Sequence, residues 1–273
     1  MSLRSGAATA VRRAALLTDR MVPTRPGVTV LIYHRVGAGT DSPVDLPAAQ
    51  FRAQVEHLAA HHRVLSLDDA TASLAAGTPA HGVVITFDDG TTDVVDVAAP
   101  ILAEAGLPST LYLVTSAPGA GVLPWGAPAA SWAALADAAA GGRFTVASHT
   151  HDHRLLHRTS AAEAAEQLDR SIDAITDHLG TAPAHFAYPK AVPGNRAART
   201  AVAARFRSAA LAGHGVNRTA RHLQHLRRVP VSRGDDLAMF AVKAAGGLRL
   251  EGALGPRRPA PQDFGQRVDA EPR

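Results

Sequence analysis

Four histidines fall close together in the stretch 147-ASHTHDHRLLH-157: His149, His151, His153 and His157. The chain has no cysteine, so a metal ion here would be held by imidazole and carboxylate alone. A divalent ion that keeps positions open for chemistry needs about three protein ligands, and two histidines with one carboxylate suit a hydrolytic zinc. The carboxylate would come from Asp88 or Asp89 in 83-VVITFDDG-90. Adjacent residues point in different directions, so one can hold a metal while the other takes a proton from water. Spacing leaves the histidine pairing open. A helical turn puts His149 and His153 on one side, whereas an extended chain puts His149, His151 and His153 on one face.

These residues need a scaffold that gathers them. The run 28-VTVLIYH-34 is continuous, apolar and β-branched, as in a strand buried on both faces. Further strands are expected over 82–87, 109–114, 143–148, 185–188, 206–211 and 227–231. Helices are expected over 47–62, with Phe51, Val55 and Leu58 on one face, then over 67–77, 94–106, 132–139, 161–179 and 235–245. The 161–179 helix opens on a capping box, Ser160 with Glu163, and carries a stripe of Leu168, Ile172, Ile175 and Leu179. Strands alternate with helices without repeats, which predicts one parallel α/β domain over 28–245. On pattern alone a barrel and an open doubly wound sheet both satisfy this. Residues 1–27 read as a basic lead-in and 246–273 as a disordered tail.

In parallel α/β folds the carboxyl ends of the strands share one rim, where sites are built. His34, Asp88 with Asp89, His149 and Tyr188 each stand where an apolar run ends. A lone Asp-Asp-Gly is more simply a turn; four chemically apt strand ends together reverse that weighting.

With 273 residues and a 46% hydrophobic share, the chain can bury a large core. The net charge of +4 comes from scattered arginines. No aromatic-rich basic stripe or DNA-reading motif accompanies them, which argues against nucleic acid and leaves an anionic substrate or membrane surface open. No apolar run reaches the roughly 18 residues of a spanning helix, and no secretory leader pattern is present. The expectation is a cytoplasmic protein, with peripheral membrane association left open.

The segment 85-ITFDDG-90, followed by H-T-x-x-H at 149–153 and 186-FAYP-189, resembles the polysaccharide deacetylases (NodB-homology domain, carbohydrate esterase family 4). YHRV at 33–36 and RVPV at 228–231 are similar to the xylanase/chitin-deacetylase-type branch. The resemblance covers about 28–245 and implies a distorted (β/α) barrel. It implies a divalent metal, zinc foremost with Co²⁺, Ni²⁺ or Mn²⁺ as alternatives, held by Asp89, His149 and His153. Asp88 would be the catalytic base, and the reaction hydrolysis of an N- or O-acetyl group on a glycan. Two features depart from the family pattern. Ala187 falls where an arginine commonly orients the base, so Arg228 is a candidate for that cation, and Lys190 and Ala191 replace an aromatic and a glycine. No clear late leucine-x-histidine motif supplies the general acid, which makes His34 the first candidate and His214 the second. Tyr188, Pro189, Arg228 and Trp125 are the candidate substrate contacts. Two alternatives stand beside this reading: a metal-dependent amidase or imidase acting on a non-sugar C–N bond, and a glycan-binding pseudoenzyme.

Overall fold

The computed structural model describes residues 27–247, so the lead-in and the tail expected at the two ends lie almost wholly outside the described residues. Seven apolar runs become strands: β1 (Val28–Tyr33), β4 (Gly82–Asp89), β5 (Ser109–Leu113), β6 (Phe144–Ser148), β7 (His185–Ala187), β8 (Ser208–Ala210) and β9 (Arg228–Pro230). They pair in the order β8-β7-β6-β5-β4-β1-β9, and every ladder is parallel. The two outer strands also meet. Leu211 donates to the Leu226 carbonyl at 2.8 Å and Gly213 to the Arg228 carbonyl at 2.8 Å. That contact nearly closes the sheet, so the architecture is a distorted (β/α) barrel and the doubly wound alternative is excluded.

The helices form the outer layer: α1 (Ala48–His61), α2 (Leu67–Ala75), α3 (Ala99–Glu104), α4 (Ala117–Ala120), α5 (Trp132–Ala139), α6 (Ala161–Leu179), α7 (Arg196–Arg205) and α8 (Leu237–Ala244). The capping box expected for α6 forms in both directions, and Gly180 ends the helix at φ 72°. Leu168 and Ile175 are fully buried from its stripe, each worth about 1.5–3 kcal/mol of transfer free energy. Residues 94–104 differ from the expected single helix: Val94–Ala98 forms a π turn before α3 begins. A two-strand ladder, β2 (Arg35–Val36) with β3 (Asp45–Leu46), was not legible because each strand is only two residues long.

Strand alternation sorts the core into two layers. Val30, Val84, Tyr112, Ala147, Ala187 and Ala210 fill one buried cluster, the barrel interior. Leu31, Tyr33, Ile85, Phe87, Leu111 and Leu113 belong to the cluster that packs against helices α1 and α5. The period of two predicts that Thr86 and Asp88 face inward with Val84, and that Asp89 faces outward with Phe87.

Candidate metal and catalytic site

The backbone overrides that prediction at Asp89. Its φ is 76°, a left-handed conformation that few non-glycine residues adopt, and it turns both neighbouring carboxylates toward one centre. Nε2 of His149 lies 3.8 Å from Asp88 Oδ2 and 3.6 Å from Asp89 Oδ1. The turn needs the following residue to be glycine. Gly90 has φ 98°, and a Cβ there would collide with the Leu113 side chain. The turn expected of Asp-Asp-Gly is therefore present, and it is the turn that sets both carboxylates beside His149.

The histidine loop is neither the helical turn nor the extended strand that spacing left open. Thr150 and His153 both have positive φ, 69° and 58°, and these reversals bring His153 back over the strand end beside His149, ring centroids 5.1 Å apart. Nδ1 of His149 donates to the Ala187 carbonyl at 2.8 Å, which fixes the tautomer and leaves the Nε2 lone pair facing the carboxylates. Nε2 of His153 lies 3.6 Å from Asp89 Oδ1. Asp89, His149 and His153 are the one group among the described residues whose donor atoms converge closely enough for a metal, all within 4.8 Å of one another. A tetrahedral ion with bonds of about 2.0–2.2 Å separates its ligands by about 3.4 Å, so the 3.6 Å spacings fit a zinc-sized cation.

The other two histidines of the cluster are turned elsewhere. His151 accepts at Nε2 from Arg170 at 2.7 Å, so its Nδ1 proton is donated to Thr115 Oγ1 at 2.9 Å. His157 is exposed and accepts from Arg158. Between the two converging histidines, Asp152 is clamped by Gln167, whose amide oxygen accepts from the Asp152 backbone and whose NH₂ donates to its carboxylate. Sequence reasoning missed Gln167. It sits on the buried side of α6, where a polar residue was itself a signal.

Arg228 is a correction as a substrate contact. Its side chain has no exposed surface, and it forks onto Asp88, NH1 to Oδ1 in a short contact and NH2 to Oδ2 at 2.8 Å. Its Nε donates to the Leu211 carbonyl, and the guanidinium lies 4.9 Å above the Tyr112 ring. It therefore occupies the place considered for the missing cation, reached from inside the barrel. Burial pushes the Asp88 carboxyl up, but the charges of Arg228 and His149 and the Arg228 hydrogen bonds outweigh it and hold it at about 2. Asp89 shifts the other way: burial, then the neighbouring Asp88 charge, raises it well above the usual carboxylate range. Neighbouring carboxylates driven apart in this way carry different protonation duties, and a cation is what would let Asp89 ionise.

Tyr188 and Pro189 are also corrected as substrate contacts. Tyr188 is 1% exposed and packs edge-on to Phe186 in the cluster beneath α6 and α7, and Pro189 is buried. Trp125 is half-buried, with its ring 4.9 Å from that of His153. His34 is buried at the end of β1, where burial lowers its pKa to about 4 within the fields of Asp88, Arg228 and His149. His214 is partly buried in the segment after β8.

The class defined so far is a parallel (β/α) barrel with a carboxylate–bis-histidine cluster on its strand-end rim. The sequence model of the family described as polysaccharide deacetylase matches residues 75–209, a span that holds Asp88, Asp89, His149 and His153, and this stretch of the chain belongs to that family. Among solved structures, the chain is similar to IcaB from Ammonifex degensii at 25% identity and TM-score 0.72, covering 81% of this chain and 98% of that one. It is similar in fold to the Streptococcus pyogenes deacetylase PplD (18% identity, TM-score 0.71, 81% and 99% covered). The same holds for BA0330 from Bacillus anthracis (20%, 0.69, 80% and 69%). No curated protein matches the sequence.

Proposed function

We propose that this protein is a divalent-metal-dependent hydrolase that removes N-acetyl or O-acetyl groups from a carbohydrate. The observation that carries the reading is the convergence of Asp89, His149 and His153 beside a second, ionised carboxylate. Membership of the deacetylase family and likeness to a Streptococcus pyogenes protein described as a deacetylase in complex with acetate support the substrate class. Asp89 Oδ1 and the two Nε2 atoms would hold the cation, zinc suiting the donor set best and Co²⁺, Ni²⁺ or Mn²⁺ being able to replace it. When bound, it would supply Lewis acidity toward the acetyl carbonyl and the attacking water.

The chain's own residues divide the proton transfers. Asp88, ionised at any pH well above 2, accepts the proton of the attacking water. Two of its lone pairs serve Arg228 and leave others free. A carboxylate held this low is a weak base, so the scheme depends on water that is already acidified. His34 is neutral at rest, since burial holds it at about 4. As the acid it would deliver to the leaving group a proton acquired during turnover.

The test is acetate release from a panel of N- and O-acetylated saccharides, with cyclic imides alongside, before and after chelation. Metal-restored acetate release is expected. Turnover of imides alone would transfer the site to the amidase reading, and turnover indifferent to chelation would end the metal reading.

A further inference from the structure

The loops after β6 and β7 form a basic rim beside the site. Residues 149–159 and 189–199 contain Arg154, Arg158, Lys190, Arg196 and Arg199 against a single acid, Asp152. That acid is already engaged by Gln167 and Arg170. The two loops are tied together, with Asn195 Nδ2 donating to the Thr159 carbonyl at 2.7 Å. Arg196 and Arg199 sit in the first turn of α7, which has no acidic residue there. Cations at a helix amino terminus oppose the helix dipole, so helix stability does not explain them.

Lys190 marks the inner edge of this rim. It follows β7 by three residues, and β7 ends on Ala187, the residue whose carbonyl orients His149. Lys190 and Ala191 both hold φ of 53°, a left-handed conformation that few non-glycine residues adopt. The Lys190 side chain is partly buried and has no hydrogen-bond or ion-pair partner among the described residues. Its charge reaches Asp89 and His153. Arg228 and Arg35 act on Asp89 too, but each already has a carboxylate partner; an unpaired cation whose field reaches a metal-capable cluster opposes the metal unless an anion offsets it.

We propose that Lys190 and this rim bind an anionic group of the substrate, a carboxylate or a phosphoryl, so that the preferred saccharide is acidic. The inference rests on the deacetylase reading for its choice of ligand, but the binding it describes does not depend on turnover. The test measures calorimetric affinities of the full-length protein, as purified, for four ligands. These are neutral chitotetraose, the uronate-bearing hyaluronan tetrasaccharide, N-acetylglucosamine and its 1-phosphate. Acetate is assayed in the same samples.

One charge-assisted contact on a partly solvated rim predicts that an acidic ligand binds about tenfold more tightly than its neutral partner. Lys190→Met should collapse that preference to within about twofold, Lys190→Arg should keep it, and added salt should weaken it. Preference for hyaluronan alone assigns the carboxylate, and preference for the phosphate ester alone the phosphoryl. Equal affinities for neutral and acidic ligands, or a preference that survives Lys190→Met, overturn the inference. Absence of acetate from every saccharide, with the binding preference intact, sinks the deacetylase reading and leaves the anion site standing.

Discussion

The Arg228 guanidinium grips both oxygens of Asp88 from inside the barrel, and neither side chain is more than 4% exposed. Removing one partner from such a pair leaves a buried charge uncompensated, at a cost of about 3–5 kcal/mol. Arg228→Met should lower stability by that order in denaturant titration. A lysine cannot reproduce the fork, so Arg228→Lys should also lose most acetate release. A stability change under about 1 kcal/mol for Arg228→Met would show the pair to be dispensable.

His34 and His214 are separable by turnover. Removing a general acid costs about 10²–10⁴ in rate. His34→Gln should fall in that range in kcat, and His214→Gln should stay within a few-fold of the parent. The reverse ranking would move the acid to His214.

Gln167 should act on metal affinity without touching the metal. It holds the loop between His149 and His153 through Asp152, and losing a group that orients ligands typically costs 10–100-fold in affinity. Zinc titration of Gln167→Leu against a fluorescent chelator should show a weakening of that size. Unchanged affinity would mean that the loop holds its shape without the clamp.

Legibility in the sequence followed the range of the interactions. Helix α6 was readable end to end because its capping box, apolar stripe and terminal glycine are local. The barrel closure was not, since it depends on Leu211 meeting Leu226 across a connection rather than on any periodicity. Type and strand-end position pointed to the aspartate pair and the histidine cluster, and only the family resemblance picked Asp89, His149 and His153 from them; how they converge was hidden. It rests on left-handed backbone at Asp89, Thr150 and His153, where residue preference points the other way. The Arg228–Asp88 pair spans 140 residues, and the sequence offered only a cation on a late strand. Tyr188 and Pro189 looked like rim residues because they follow a strand, whereas the left-handed turn at Lys190 and Ala191 folds them into the core.

At the amino-terminal end of the barrel, Asp68 accepts from His185 and Arg207. The His185 hydrogen bond comes first, and together with the hydrogen bond and charge of Arg207 it overcomes partial burial and takes the Asp68 pKa from 3.8 to about 2. A depressed carboxylate stabilises the fold above its unfolded pKa and loses that contribution as pH falls through the folded value. Asp68→Asn should therefore be less stable than the parent near neutrality, with the gap closing between about pH 4 and 2. Because Asp68 is half exposed, the gap should be modest and shrink in salt. Thermal melts across pH 7 to 2.5 check this, and a gap that widens on acidification contradicts it.

The central claim is that Asp89, His149 and His153 hold one divalent ion, and that His151, two residues from each histidine, does not. Metal analysis of the purified protein and of single alanine variants tests it most directly. The account predicts about one divalent ion per chain in the parent and in His151→Ala, and loss of the ion in Asp89→Ala, His149→Ala and His153→Ala. No stoichiometric metal in the parent, or an ion lost with His151 and kept without His153, would contradict it.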